Sequence, residues 1–363
     1  MIPPDERPLV ALTMGDVAGV GPEVIARAWS DSPLRTLARP FVVGNRIVLE
    51  RALRCVGGGA RVESIDSPSL AAPSARVVPC LEGSEIDVGD VPLGRVDARA
   101  GAAARDFLTT AIDLALAGEV DALTTLPLNK ESLHAAGVEH PGHTEILAER
   151  CGVREHAMML YLAPPVGPGD VGLGVLHVTL HVALRRVFDL ITPESVESKI
   201  ALADAAMRPF TLGRRPRIAV AGLNPHAGEG GLFGDEEIRV IAPAVAAARA
   251  QGYDASGPIA ADTLFVRAIR GEFDAVVAMY HDQGHVALKT IGFDRAVNVT
   301  IGLPIVRTSV AHGTAFDIAG SGSAETSSLI EAVRVAARIV DGQRRIGVTG
   351  SQPARPAASP YVL

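Results

Sequence analysis

The sequence predicts an α/β protein. Short Val-, Ile- and Leu-rich runs ending in Gly, Asn or His alternate with Ala-rich segments of helical period, the pattern of parallel strands covered by helices. A length of 363 residues with 48% apolar side chains supplies a large core and points to two domains rather than one. Strands are expected at residues 9–14, 41–43, 122–128, 175–180, 218–223 and 275–280. Helices are expected at 22–29, where Pro22 sits in the first turn, and at 102–117, 194–207, 236–250 and 328–340. Residues 57–60 and 163–170 read as Gly/Pro-rich loops, and the tail from Gln352 is Pro-rich. No repeat or low-complexity segment interrupts the pattern.

Composition excludes several partners. A net charge of −7 leaves no basic surplus to neutralise a phosphate backbone, so nucleic acid is not expected as a partner and an anionic substrate needs a local basic pocket. The start, MIPPDERPLV, lacks the positive stretch and apolar run of an export signal, and no window approaches the roughly 18 apolar residues of a membrane span. Cys55, Cys80 and Cys151 match no disulfide or metal spacing, which fits a reducing cytoplasm. Of 34 basic residues only three are lysine: Lys130, Lys199 and Lys289. A lysine retained where the chain otherwise uses arginine can serve as a compact charge or lose its proton, which guanidinium cannot. Lys130 and Lys289 are the candidates; Lys199 falls on a polar helical face.

Three histidines follow expected strands: His181 after 175–180, His226 in GLNPH after 218–223, and His281 after 275–280. Ligands bind at the carboxyl ends of strands in open α/β sheets, so the three imidazoles can converge. Three neutral nitrogens with one position open suit a divalent metal whose shell a substrate oxygen completes. His177 competes with His181 in LHVTLH, but its place within the strand makes it a buried, hydrogen-bonded residue. HDQGH, from His281 to His285, has the spacing of a zinc-peptidase HExxH and defines a hydrolase alternative. That motif needs a helix and a Glu base, whereas Gly284 weakens a helix and Asp282 is a methylene shorter. No Walker-type loop and no GxGxxG is present; Gly228–Gly234 gives only GxGGxxG. TMGDVAGVGPE can present backbone amides at the start of the Pro22 helix or serve as a tight strand-to-helix turn.

TMGDVAGVGPE, TTLPLNKESLHAAG, PGHTE, LHVALR, GLNPHAGEGGLFGDEE, GPIAADTLF, YHDQGH and NVTIGLPIVRTSVAHGTAFDIAG occur in this order. Together they resemble the signatures of the 4-hydroxythreonine-4-phosphate dehydrogenase family through nearly the whole chain, residues 46–100 and the tail excepted. HGTAFDIAG also resembles the cofactor loop of isopropylmalate dehydrogenases. The resemblance implies two α/β domains with a central cleft, isopropylmalate-dehydrogenase-like, drawn here as 1–125 plus 303–363 and 126–302, the second carrying the metal site and dimer contacts. It implies a homodimer whose active site takes residues from both subunits, and NAD or NADP bound through loops, for which His312, Gly313, Thr314 and Asp317 are the candidates.

Residue by residue, His181, His226 and His281 match the family's metal ligands, and His143, Thr144, Lys289, Asn298 and Arg307 its substrate contacts. Lys289, Asp282 and Lys130 are the candidate catalytic groups. Val17 stands where the family has proline, and His285 where an apolar residue is common. NKE and PGHTE are closer to a sister branch acting on four-carbon sugar-acid phosphates such as D-threonate or D-erythronate 4-phosphate; another relative oxidises a dihydrodiol dicarboxylate in terephthalate breakdown. The implied reaction is oxidation with decarboxylation of a small anionic, phosphorylated hydroxy acid in pyridoxine biosynthesis. The implied ion is a divalent metal, zinc, cobalt or nickel, or magnesium or manganese; three imidazoles favour zinc, cobalt or nickel over magnesium. Outside this class stand a zinc hydrolase and a binder of sugar acids without turnover.

Overall fold

Apolar runs with no polar alternation suit strands buried on both faces. The computed structural model describes the chain except residues 1–5, 31–32, 141, 166, 168, 293–294 and 348–363, so Pro141 of PGHTE and the tail from Gln352 lie outside the described residues. The described residues form two compact units, one within 6–154 and 303–341, the other within 155–302 and 342–347.

In chain order the first unit carries β1 (Leu9–Thr13), α1 (Gly21–Ser30), α2 (Leu34–Leu37), β2 (Arg39–Gly44), α3 (Arg46–Cys55), β3 (Arg61–Ser64), β4 (Val77–Glu82), α4 (Ala98–Leu116), β5 (Ala122–Thr125), α5 (Lys130–Ala135) and α6 (His143–Cys151). The second carries β6 (Ala157–Leu162), β7 (Leu173–His177), α7 (Val187–Leu190), α8 (Pro193–Met207), β8 (Arg217–Ala221), α9 (Ala242–Ala250), β9 (Asp254–Ile259), α10 (Ala261–Ile269), β10 (Ala275–Ala278), α11 (His281–Gly292) and β11 (Ala296–Ile301). The chain then returns through β12 (Val306–Ser309) and α12 (Ser327–Arg345).

In the first unit the strand order is β3-β4-β2-β1-β5-β12 and every pairing is parallel. Val10, Leu12 and Leu123 on the central strands are fully buried, each contributing about 1.5–3 kcal/mol of burial energy. Asn45, Asp97 and Asn129 cap α3, α4 and α5 by accepting backbone N–H groups, which starts each helix at a defined residue. In the second unit the order is β11-β6-β7-β10-β8-β9. Pairings with β6 are antiparallel, and β7, β10, β8 and β9 run parallel. Its core joins Leu160, Leu173, Val175, Val276, Leu264, Phe265 and Leu288. At the amino end of β10 the buried Asp274 carboxylate accepts from Arg214 (2.9 and 3.0 Å), from the Arg217 side chain and from the Arg217 amide (2.8 Å). Burial alone would raise its pKa, but these hydrogen bonds outweigh burial and hold it below the ordinary carboxylate value.

The two-unit α/β organisation agrees with the expectation, and the first unit is discontinuous as drawn, with its return at Leu303. The outward boundary is corrected from 125 to 154: α5 and α6 pack on α4, so the segment bearing Lys130 and His143 stays with the first unit. Residues 342–347 join the second unit, where Gly342 abuts the Pro209 carbonyl. Five of the six expected strands end one to three residues early, at Thr13 or Thr125 for example, because apolar residues continue into buried turns after the last ladder bond. The expected helix at 236–250 begins as a π-turn at Glu237–Ile241. Among the described residues, no helix is long and apolar enough to cross a membrane.

Candidate active site

Three adjacent parallel strands of the second unit, β7, β10 and β8, deliver the three histidines at their carboxyl ends. Past the end of β7, Val178 N–H donates to Ala278 O (2.8 Å) and Thr179 N–H to Met279 O (3.1 Å). This continued pairing brings His181 beside His281, ring centroids 5.8 Å apart. Gln283 ties the next strand in: it accepts from Met279 N–H (2.7 Å) and donates to Gly222 O (2.8 Å), joining the ends of β10 and β8.

His281 opens α11, and its Nδ1–H donates to Asp282 Oδ1 (2.7 Å), which leaves Nε2 for a ligand. The carboxylate therefore orients the ring, a second-sphere partner of the kind metal-bound imidazoles use. One turn on, His285 stacks on His281 at 3.8 Å and 11°, and its Nδ1 lies 3.1 Å from Nε2 of His177. Burial, with neighbouring imidazoles adding to it, pushes His177 to about 3. His285 is pushed to about 4 by burial, then by His281 and Lys289. Both rings are neutral at physiological pH. Four-residue spacing sets His281, His285 and Lys289 along one helix face, where they line a shallow depression of about 390 Å³ with Asp282, Val286 and Thr290.

HDQGH lies in a helix although Gly284 is expected to weaken one, and Asp282 still stands where the peptidase motif needs Glu. Gly284 is present for packing: a Cβ there would stand 2.3 Å from His177 Nε2. Gly284→Ala adds about 1 kcal/mol of helix propensity. It is nevertheless expected to lose about 1–3 kcal/mol through overpacking and displacement of His177, a net fall in melting temperature measurable by thermal denaturation. An unchanged or raised melting temperature would contradict the packing role. His177 is buried and hydrogen-bonded within β7, as the sequence suggested.

His226 lies in an unusual loop. Residues 226–230 all have left-handed backbone, with φ of 53°, 53°, 79°, 44° and 67°, and three of them are not glycine. Such conformations cost about 1 kcal/mol or more each and persist where the surroundings impose them. Glu237 anchors the residues leading into this loop: its Oε1 accepts from the amides of Leu223 and Asn224 (both 2.7 Å) and its Oε2 from Asn224 Nδ2 (2.9 Å). The fold returns Glu229 to His226, whose Nδ1–H donates to its Oε2 (3.2 Å), again leaving Nε2 open. The His226 ring contacts Phe233 at 6.2 Å rather than His181 or His281. Among the described residues, no three His, Cys, Asp or Glu side chains already converge closely enough to hold an ion. The structure thus assembles two of the three expected ligands and leaves the third on its own loop. The donor chemistry fits a divalent ion: His226 and His281 each commit Nδ1 to a carboxylate and leave Nε2 open, and His181 adds a third imidazole. Glu237 and Gln283 escaped the sequence reading although both sit in its motifs, as buried polar residues beside the chemistry-bearing ones.

Asn298, on β11, places Oδ1 in a buried position with no hydrogen-bond donor. In the first unit Arg307, on β12, is buried and donates to Thr125 Oγ1 (2.6 Å); burial lowers its guanidinium to about 10, still charged at neutral pH. His143 opens α6 and donates through Nε2–H to Leu126 O (3.1 Å). Burial, then the nearby Arg307 charge, pushes it to about 3, so Nδ1 is an acceptor at neutral pH. Thr144 follows in the same first turn, a position that favours anions. Lys130 is the exposed first residue of α5. After β12, His312 Nδ1–H donates to Gly313 O (2.9 Å), while its Nε2 is buried without a partner. Ala315 has φ 43°, and Gly313 and Asp317 are exposed. A buried acceptor and an exposed carboxylate on one loop suit the amino and ribose hydroxyl groups of a dinucleotide.

Residues 36–336 match the family described as pyridoxal phosphate biosynthetic protein PdxA. The chain belongs to this family. A D-threonate 4-phosphate dehydrogenase of Cupriavidus necator is 46% identical to this PdxA-family chain, covering 92% of it and 98% of the relative. A 4-hydroxythreonine-4-phosphate dehydrogenase of Trichlorobacter lovleyi is 44% identical, covering 92% and 98%. The crystal structure of the 4-hydroxythreonine-4-phosphate dehydrogenase of Klebsiella pneumoniae superposes with a TM-score of 0.84 at 43% identity, covering 93% of this chain and 99% of that one. This PdxA-family member is an enzyme of the dehydrogenase class.

Proposed function

We propose that the chain oxidises, with decarboxylation, a phosphorylated hydroxy acid of the 4-hydroxythreonine 4-phosphate type, using NAD or NADP and a divalent metal ion. The observation that carries this is the delivery of His181, His226 and His281 by three adjacent parallel strands, two of them with Nδ1 held by a carboxylate. Imidazole donors favour zinc, cobalt or nickel over magnesium or manganese. The nicotinamide, held by the loop after β12, would supply a hydride acceptor, and an ion held by His181, His226 and His281 would supply positive charge for the oxygen of a substrate that is oxidised and then decarboxylated.

The protein's own groups do the rest. Lys289, on the face shared with His281, takes the hydroxyl proton and later returns one to the carbanion left by CO₂. Asp282 orients His281. In the first unit Arg307 grips an anionic substituent, His143 accepts through Nδ1, and Thr144 adds a hydroxyl at the start of α6. Asn298 supplies a buried acceptor toward substrate. Lys130 stands ready as a further cation beside β5. The loop bearing His312, Gly313, Thr314 and Asp317 takes the dinucleotide.

A homodimer completes the reading. Val182, Leu184, Phe188 and Leu190 follow His181, Leu232 and Phe233 follow His226, and all are exposed, Leu232 at 73%. Apolar side chains exposed beside proposed ligands suit burial by a second copy whose residues join the site.

D-threonate 4-phosphate is the second reading, favoured by the 46% identical relative of that name and by the NKE and PGHTE motifs. It carries a hydroxyl where 4-hydroxythreonine 4-phosphate carries an amine. Assay of the metal-loaded protein with each acid and NAD, following the near-ultraviolet band of reduced nicotinamide, tests both. Turnover of either supports the reaction class and the faster names the substrate. Turnover of neither, nor of erythronate 4-phosphate, contradicts it, and casein cleavage would favour the hydrolase.

A further inference from the structure

TMGDVAGVGPE holds none of the residues given a catalytic, metal or cofactor role above, yet it packs against the loop after β12. Val20 N–H donates to Thr314 O (3.0 Å), and a Cβ at Gly19 would stand 2.8 Å from the same oxygen, so the loop's entry rests directly on this glycine. At the exit, both oxygens of Glu23, in the first turn of α1, accept backbone amides: one from Gly320, the other from Gly322 at 2.9 Å. One helical turn on, Arg27 Nη1 donates to the carbonyls of Gly322 and Ala324 (both 3.3 Å). Cys55 Sγ also donates to Gly320 O (3.2 Å). Glu23 is buried, and each of its carboxylate oxygens accepts one backbone amide of the loop's exit, the stronger kind of hydrogen bond.

We propose that Glu23, with Arg27, is a positioning residue for dinucleotide binding: it clamps the exit of the 312–322 loop and thereby sets His312, Gly313, Thr314 and Asp317 for the cofactor. The carboxylate is required because only it offers two acceptor oxygens and no donor to two converging N–H groups. An amide at this position turns a donor toward one of them. The motif's glycines serve the same end by letting the loop approach α1, rather than by presenting amides to a phosphate. This rests on the reading that the loop takes NAD.

The test is direct binding of NADH, followed by its fluorescence, to wild type, Glu23→Gln, Arg27→Met and Glu63→Gln, the last altering an exposed ion pair with Arg61 as a control. Glu23→Gln is expected to weaken NADH by about tenfold or more, with Arg27→Met shifting in the same direction. Kinetically, KM for NAD rises while KM for the acid substrate and the affinity for cobalt stay at wild-type values, a split that general loss of structure would not produce. Hydrogen exchange at residues 312–322 speeds up in both variants. Unchanged NADH affinity in both folded variants overturns the clamp alone. Absence of NADH binding to the wild type overturns the loop assignment and the clamp with it. Should Glu23→Gln fail to fold, Arg27→Met decides.

Discussion

His281→Ala is expected to abolish turnover and to release bound metal. The substitution removes an Nε2 donor and also the ring on which His285 stacks at 3.8 Å. A metal that stabilises developing negative charge supplies several kcal/mol, so kcat is expected to fall by about three orders of magnitude or more. Metal content per chain, measured by elemental analysis after dialysis, is expected to fall in parallel. Asp282→Asn separates the two effects: it keeps the ligand but weakens the hold on its Nδ1–H, and a loss of about 10- to 100-fold in metal affinity is expected. Full activity of His281→Ala in metal-free buffer would show that this imidazole binds no ion of consequence.

Lys289→Met is expected to reduce kcat by about 10²-fold or more, the usual worth of a positioned acid–base group, while the metal stays bound. Lys199→Met is the informative comparison. Lys199, on α8, is partly buried, which lowers its ammonium pKa, with Glu155 opposing that shift. It is thus less exposed than a polar helical face implies, and its replacement is expected to alter stability rather than rate. Equal effects of the two on kcat would remove the argument from lysine scarcity as well as the proton-transfer role of Lys289.

The strands that carry the proposed ligands were legible because parallel strands buried on both faces read as continuous apolar runs, and each is followed by a histidine that such a run does not need. Their ends were less legible, since Leu126 and Met279 are as buried as the strands they follow. The helix at His281 was misjudged because glycine is a poor helix former in isolation; its tertiary reason, the approach of His177, is invisible to propensity. Likewise, Glu237 and Gln283 hold the loops through backbone contacts, which spacing does not encode. The domain boundary moved because α5 and α6 are held by α4, a long-range contact. Of the proposed metal ligands, the sequence could place each at a strand end but could not show that His226 sits in a left-handed loop apart from the other two.

The measurement that bears most directly on the metal reading is formation of reduced nicotinamide by one preparation before and after its ions are removed and restored, with a four-carbon phosphorylated hydroxy acid and NAD. The expected result is no turnover after chelation, recovery with zinc or cobalt, and no recovery in His226→Ala. Undiminished turnover by the stripped wild type, or full recovery by His226→Ala, would contradict the claim that histidines at three strand ends hold a catalytic ion.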